Sequence, residues 1–136
     1  MDRTNATEAG QWLIKADHDL QSAKRLMEGE PPLLDTAVYH CQQAAEKSLK
    51  AFLALNAVPI QRVHILGVLV EQCMEFDDSF QELREIADVL TPFAVVFRYP
   101  GDYVEPALAD AEDALKSACV VVDFVVKRIP QGIVES

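Results

Sequence analysis

Residues 37–54, Ala37-Val-Tyr-His-Cys-Gln-Gln-Ala-Ala-Glu-Lys-Ser-Leu-Lys-Ala-Phe-Leu-Ala54, read as helix from end to end. Val38, Cys41, Ala45, Leu49 and Phe52 recur at steps of three and four, which aligns them on one face at 3.6 residues per turn. Tyr39, Gln43, Glu46, Lys47 and Lys50 follow a similar spacing, which predicts a polar stripe on another face. Ala, Leu, Gln, Glu and Lys are strong helix formers, and Glu46 precedes Lys50 in the favourable i,i+4 order. Asp35, just after Pro31 and Pro32, is the expected N-cap.

The rest of the chain supplies helices of the same kind. Ala9, Trp12, Leu13, Ala16, Leu20, Ala23 and Met27 make the inward stripe of a first helix ending near Glu28, where Gly29 is a stop signal. Asn5 with Glu8 suits a capping box for it, and Thr4 or Thr7 are other candidate caps. A third, shorter helix is expected over His64–Cys73, with Leu66, Leu69, Val70 and Cys73 inward. Asp77, Asp78 and Ser79 are cap candidates for a fourth, striped by Phe80, Leu83, Ile86, Ala87 and Leu90 and kinked or ended by Pro92. Glu105 and Pro106 suit the first turn of a last helix. Its valine-rich run 120–126 could alone be a strand, but it continues an Ala-rich helical pattern and finds no partner strand. The predicted architecture is all-α: an antiparallel up-and-down bundle of four long helices plus one short helix. We expect a single domain over residues 1–136, with its core at about 8–128 and a frayed C-terminal tail.

Composition narrows the function classes. A net charge of −10 argues against a general nucleic-acid binder, although Lys47, Lys50 and Arg62 against Glu46 leave residues 36–64 at +2 and the remainder at −12. The three cysteines, Cys41, Cys73 and Cys119, form no CxxC pair and sit among apolar neighbours, so reduced, packed thiols of a cytoplasmic protein are expected. Residues 1–11 are too polar for a signal peptide, and the longest apolar run is too short to span a bilayer. No Gly-rich phosphate loop, HExxH, EF-hand or nucleophile elbow appears, and no metal site or cofactor is expected. His18, flanked by Asp17 and Asp19, reads as a solvated surface residue.

Tyr39-His40-Cys41-Gln42-Gln43-Ala44-Ala45-Glu46-Lys47-Ser48-Leu49-Lys50-Ala51 strongly resembles the core helix of HEPN domains, small helical domains of prokaryotic two-gene modules. The segment Trp12-Leu13 with Ala16-Asp17-His18-Asp19-Leu20 resembles their first helix, and Arg98-Tyr99-Pro100-Gly101 the loop of one subgroup. Val63-His64-Ile65-Leu66 keeps the histidine of a Thr-His-Asp-Leu pattern but not its neighbours. His64 is expected to cap or orient a helix start, with a role near a cleft as the alternative. Arg98 can present a planar fork to phosphate or carboxylate, or be tethered to Asp102 to close its loop.

The resemblance implies a homodimer, a minimal nucleotidyltransferase encoded nearby as partner, and a cleft lined by the core helix and the arginine loop. The ligand-binding candidates are accordingly Arg98, Tyr99, Asp102, Tyr39, Gln43, Lys47 and Lys50, with a nucleotide or RNA phosphate as ligand. Many HEPN proteins are metal-independent ribonucleases whose motif is an arginine followed four to six residues later by histidine. After Arg98, positions 102–104 are Asp, Tyr and Val, so that motif is absent as written. The expected function is therefore a non-catalytic dimeric partner of the nucleotidyltransferase. The alternative is a ribonuclease toxin of a toxin–antitoxin pair, with Arg98 steadying charge and His64 or His40 as base.

Overall fold

The computed structural model describes residues 3–97, 100–101, 105–130 and 132. Its helices are α1 (Arg3–Glu28), α2 (Leu34–Leu55), α3 (Leu66–Met74), α4 (Arg84–Leu90) and α5 (Leu108–Val126), with 3-10 turns at Asp78–Leu83 and Thr91–Ala94 on either side of α4. The all-helical class is as expected. Three of these helices are long. The fourth expected long helix is divided, because Asp77 accepts from Ser79 N at 2.9 Å and Ser79 Oγ at 2.6 Å and starts a tight 3-10 turn, and Pro92 ends regular α-structure after Leu90.

α2 is the shared wall of the molecule. Fourteen of its 22 residues are buried, more than a single apolar stripe provides, because α1, α3 and α5 all pack on it. α1 and α2 form an antiparallel hairpin: Asp19 meets His40 and Lys47, and Trp12 meets Lys50, so numbers rise along one helix as they fall along the other. Ala9, Ala16 and Ala23 of α1 and Ala37, Ala44, Ala45 and Ala51 of α2 are almost fully buried. Small side chains of this kind let two backbones approach closely. The far side of the core is aromatic. Phe80 is fully buried, with ring centroids 4.5 Å from Phe52 and 5.0 Å from Phe124 at 75°.

Asp77 caps the Asp78–Leu83 turn as expected, whereas the starts of the five α-helices are displaced. α1 begins at Arg3, so Asn5, Thr4, Thr7 and Glu8 lie within it, and no Gly or Pro interrupts that turn. α2 begins at Leu34, which packs against the core, and Leu33 stands at the cap with its N–H donating back to Leu26 O at 2.9 Å. Asp35 is therefore in the first turn rather than at the cap, where its carboxylate accepts from Thr36 N at 2.8 Å and faces the positive helix end. α3 starts at Leu66, whose N–H donates to Thr91 Oγ1 at 3.0 Å while that hydroxyl donates to Ala87 O at 2.8 Å. Its cap thus comes from the end of α4, and His64 does not cap it. α5 starts at Leu108, after Pro106, because the Ala107 N–H is taken by Asp110 Oδ2 at 2.9 Å. The valine-rich run is helical to Val126.

Beyond α5, Arg128 closes the base of the bundle. Its guanidinium lies 3.3 Å from the Phe124 ring centroid, and its Nε donates to Ser79 Oγ at 3.0 Å and lies 3.3 Å from Asp77 Oδ2. The hydrogen bonds from Ser79 hold the Asp77 carboxyl below its ordinary range, and the Arg128 charge adds to the effect.

Cys41 and Cys73 are buried and Cys119 is half-buried. Burial pushes the Cys41 and Cys73 thiols up to about 12. Burial also raises the half-buried Cys119 thiol, so a disulfide reagent at pH 8 is expected to modify Cys119 ahead of the other two in the native protein, and all three thiols only in denaturant. The same burial carries a pH sign. Above 9.0 the unfolded chain releases thiol protons that the folded chain holds to about 12, so folding stability falls as pH rises through that window. At pH 10 the loss is about 1 kcal/mol per buried thiol. Urea midpoints at pH 8 and 10 check it, with a weaker slope expected in Cys73→Ala.

Candidate functional site

The polar residues of α2 are not a solvated stripe; they form two clusters, each built on a buried carboxylate. In the first, Gln42, Glu46 and Lys50 stand one helical turn apart in a column, with exposures of only 0%, 3% and 6%. Lys50 Nζ donates to Glu46 Oε2 at 3.0 Å, and Gln42 Nε2 donates to Glu46 Oε1 at 3.2 Å. His64 closes the group from the link that leads into α3. Its Nδ1 lies 3.0 Å from Glu46 Oε1, and its backbone carbonyl accepts from Gln42 Nε2 at 3.2 Å. Gln43 Nε2 in turn donates to Gln42 Oε1 at 2.8 Å. Trp12 of α1 covers Lys50, whose ammonium is 5.8 Å from the ring centroid. Burial strengthens each of these charge contacts and raises the cost of losing either partner.

The second cluster crosses the α1–α2 seam. Asp19 is 6% exposed, yet it belongs to the stripe that carries Ala16, Leu20 and Ala23 inward. His40 Nδ1 lies 2.7 Å from Asp19 Oδ1, and Lys47 Nζ forms an ion pair at 2.7 Å with Oδ2, although no donor approaches that oxygen at hydrogen-bonding angles among the described residues. His40 also lines a cleft of 280 Å³ with Asp35, Thr36, Tyr39 and Phe97. Tyr39 meets the imidazole edge-on, with centroids 5.4 Å apart. A larger groove of 700 Å³ runs along Trp12, Gln11 and Ile14 of α1 to Lys47. Among the described residues, no group of three His, Cys, Asp or Glu side chains could hold a metal ion, and no helix is long and apolar enough to cross a membrane.

The residues singled out from sequence are thus distributed as follows. Tyr39 lines the cleft, Gln43 is half-buried beside Gln42, and Lys47 is held by Asp19. Lys50 is buried on Glu46, and His64 reaches the same carboxylate from an exposed position. Arg98, Tyr99 and Asp102 lie outside the described residues; Phe97, immediately before Arg98, is in the cleft wall. Asp19, Gln42 and Glu46 were not among the candidates. For Asp19 the available signal was a lone carboxylate inside an apolar stripe; for Gln42, Glu46 and Lys50 it was a strict four-residue column.

The HEPN domain family matches residues 9–129, which is nearly the whole helical body. This chain belongs to the HEPN family. One relative, "Putative toxin MJ1304" of Methanocaldococcus jannaschii, is 32% identical over 135 residues, covering 89% of this chain and 88% of its own length. The crystal structure of TT1696 from Thermus thermophilus is similar in fold, with a TM-score of 0.78 and 27% identity over 90% of this chain and 98% of that one. That of ST0689, an archaeal HEPN homologue, gives a TM-score of 0.71 at 23% identity with the same coverage. The buried clusters of α2 therefore sit within the HEPN core.

Proposed function

We propose that this HEPN protein is the toxin-type component of a two-gene module, a cytoplasmic homodimer that cleaves RNA without metal and is restrained by a minimal nucleotidyltransferase. The observation that carries the reading is the cleft lined by both His40 and Phe97, because Arg98 directly follows Phe97 in the sequence. Metal-free RNA cleavage needs an imidazole to move protons and a cation to steady charge developing on phosphorus. His40 offers the imidazole in this cleft, and Arg98, next in sequence after Phe97, is the candidate cation. The relative from M. jannaschii, whose name designates a toxin, supports the same direction.

The test is RNA cleavage by the purified protein in EDTA, beside Arg98→Ala. Cleavage is expected, with a loss of about 100- to 1,000-fold in the variant, the scale typical for removing one charge-stabilising donor. Expression should arrest growth, and co-expression of the neighbouring nucleotidyltransferase should relieve the arrest.

A second reading is a non-catalytic partner that only binds the nucleotidyltransferase and a phosphate. One observation favours it: no histidine stands four to six residues after Arg98. Lys47 and Lys50 are already paired with Asp19 and Glu46, which leaves Arg98 as its candidate phosphate contact. A folded dimer that leaves RNA intact in the same assay would decide for it.

A further inference from the structure

We infer that His40 is the proton acceptor of this site and that Asp19 is its positioning residue, with the 2′-hydroxyl of an RNA ribose as the group deprotonated. The assignment rests on the RNA-cleaving reading and adds the base, which the residues following Arg98 do not supply. Nδ1 faces Asp19 Oδ1 at 2.7 Å, and an imidazole that donates its Nδ1–H to that carboxylate carries its lone pair on Nε2. Nε2 has no hydrogen-bond partner among the described residues, and the ring is part of the cleft wall. Lys47 Nζ lies 2.7 Å from the other oxygen of the same carboxylate and supplies its counter-charge.

The contrast with His64 decides between the two histidines. His64 also touches a buried carboxylate, but that carboxylate is shared with Lys50 and Gln42. His64 is moreover on the link before α3, and it is not among the residues of the His40 cleft. His40 instead stands on α2, the most enclosed helix of the bundle, and its orienting carboxylate comes from the neighbouring helix. A base held by a third group on rigid elements is the arrangement proton transfer requires.

In the step itself, the 2′-hydroxyl proton passes to His40 Nε2 as the 2′-oxygen bonds to the adjacent phosphorus. The bond from phosphorus to the 5′-oxygen breaks with its electron pair. The leaving oxygen takes a proton from solvent, and the imidazolium returns its proton to solvent to restore the base. The products are a 2′,3′-cyclic phosphate and a 5′-hydroxyl.

The experiment measures single-turnover cleavage of a short RNA in EDTA by the full-length protein and by His40→Gln, His40→Ala and Asp19→Asn. Both His40 variants should lose about 100- to 10,000-fold in rate, the usual worth of a general base. Added imidazole should restore part of the His40→Ala rate, which a purely structural histidine would not allow. Asp19→Asn should lower the maximal single-turnover rate and leave the half-saturating protein concentration unchanged. An RNA carrying a single 2′-deoxyribose at the cut should be inert. Cleavage retained in His40→Gln but abolished in Arg98→Ala would overturn this assignment and leave the RNA-cleaving reading intact. No cleavage by the unaltered protein would overturn both.

Discussion

Glu46→Ala is expected to destabilise the protein by about 3–5 kcal/mol, the cost of removing one partner from a buried ion pair. The Lys50 side chain is only 7% exposed, so its ammonium is left buried when the carboxylate goes. Trp12 offsets part of the loss through its ring face, by about 0.5–2 kcal/mol, and cannot replace a charge at 3.0 Å. Gln42 Nε2 loses one of its two acceptors, and His64 loses the contact that pins the link between α2 and α3. Urea denaturation followed by far-UV circular dichroism measures the effect. The double variant Glu46→Leu, Lys50→Met should recover most of it, because well-packed apolar residues remove the unpaired charge together with its partner. A single variant that costs under about 1 kcal/mol, the scale of an exposed pair, would show that water reaches the lysine and that the cluster is not buried in solution.

The second large effect is predicted for Phe80→Ala, also at about 3–5 kcal/mol. Phe80 is wholly buried between Phe52 of α2 and Phe124 of α5. Those two helices also pack directly on each other, so they cannot move in to fill the space a missing ring leaves. The loss combines transfer, cavity and ring–ring terms, the last worth about 0.5–1.5 kcal/mol for each well-placed pair. The melting temperature should fall by roughly 10–20 °C in a domain of this size. Phe80→Leu should be milder, since it restores most of the volume and none of the aromatic geometry. A loss for Phe80→Ala no larger than that of Phe80→Leu would mean that the site collapses freely.

These two residues also mark how far the sequence could be read. Phe80 was legible, because it falls on an apolar stripe with Leu83, Ala87 and Leu90. The same logic located α1, the extent of α2 and the helical valine run of α5. Glu46 was legible only as half of an i,i+4 pair with Lys50, a pattern that decorates exposed helix faces. Its burial depends on α1 and the link before α3 covering that face, and nothing local to α2 encodes this. Helix starts failed for a related reason. Thr91 caps α3 from 25 residues away, and core contacts of Leu34 draw α2 past its expected cap at Asp35. At the site, His40 lies in the stretch that carried the family resemblance, but its partner Asp19 is 21 residues earlier. No single helix contains both halves of that pair, so only the antiparallel pairing of α1 with α2 reveals it.

Arg128 sets a boundary that matters for anyone handling the protein. It lies beyond the last turn of α5, where a fusion point or trimmed end would ordinarily be chosen. Yet its side chain is bonded to Ser79, 49 residues earlier, and stacks on Phe124. A tag joined at Val126 would therefore keep every residue of α5 and still unlatch the 3-10 turn that carries Phe80. The packed core reaches past the end of the helix to at least Ile129, which is itself buried.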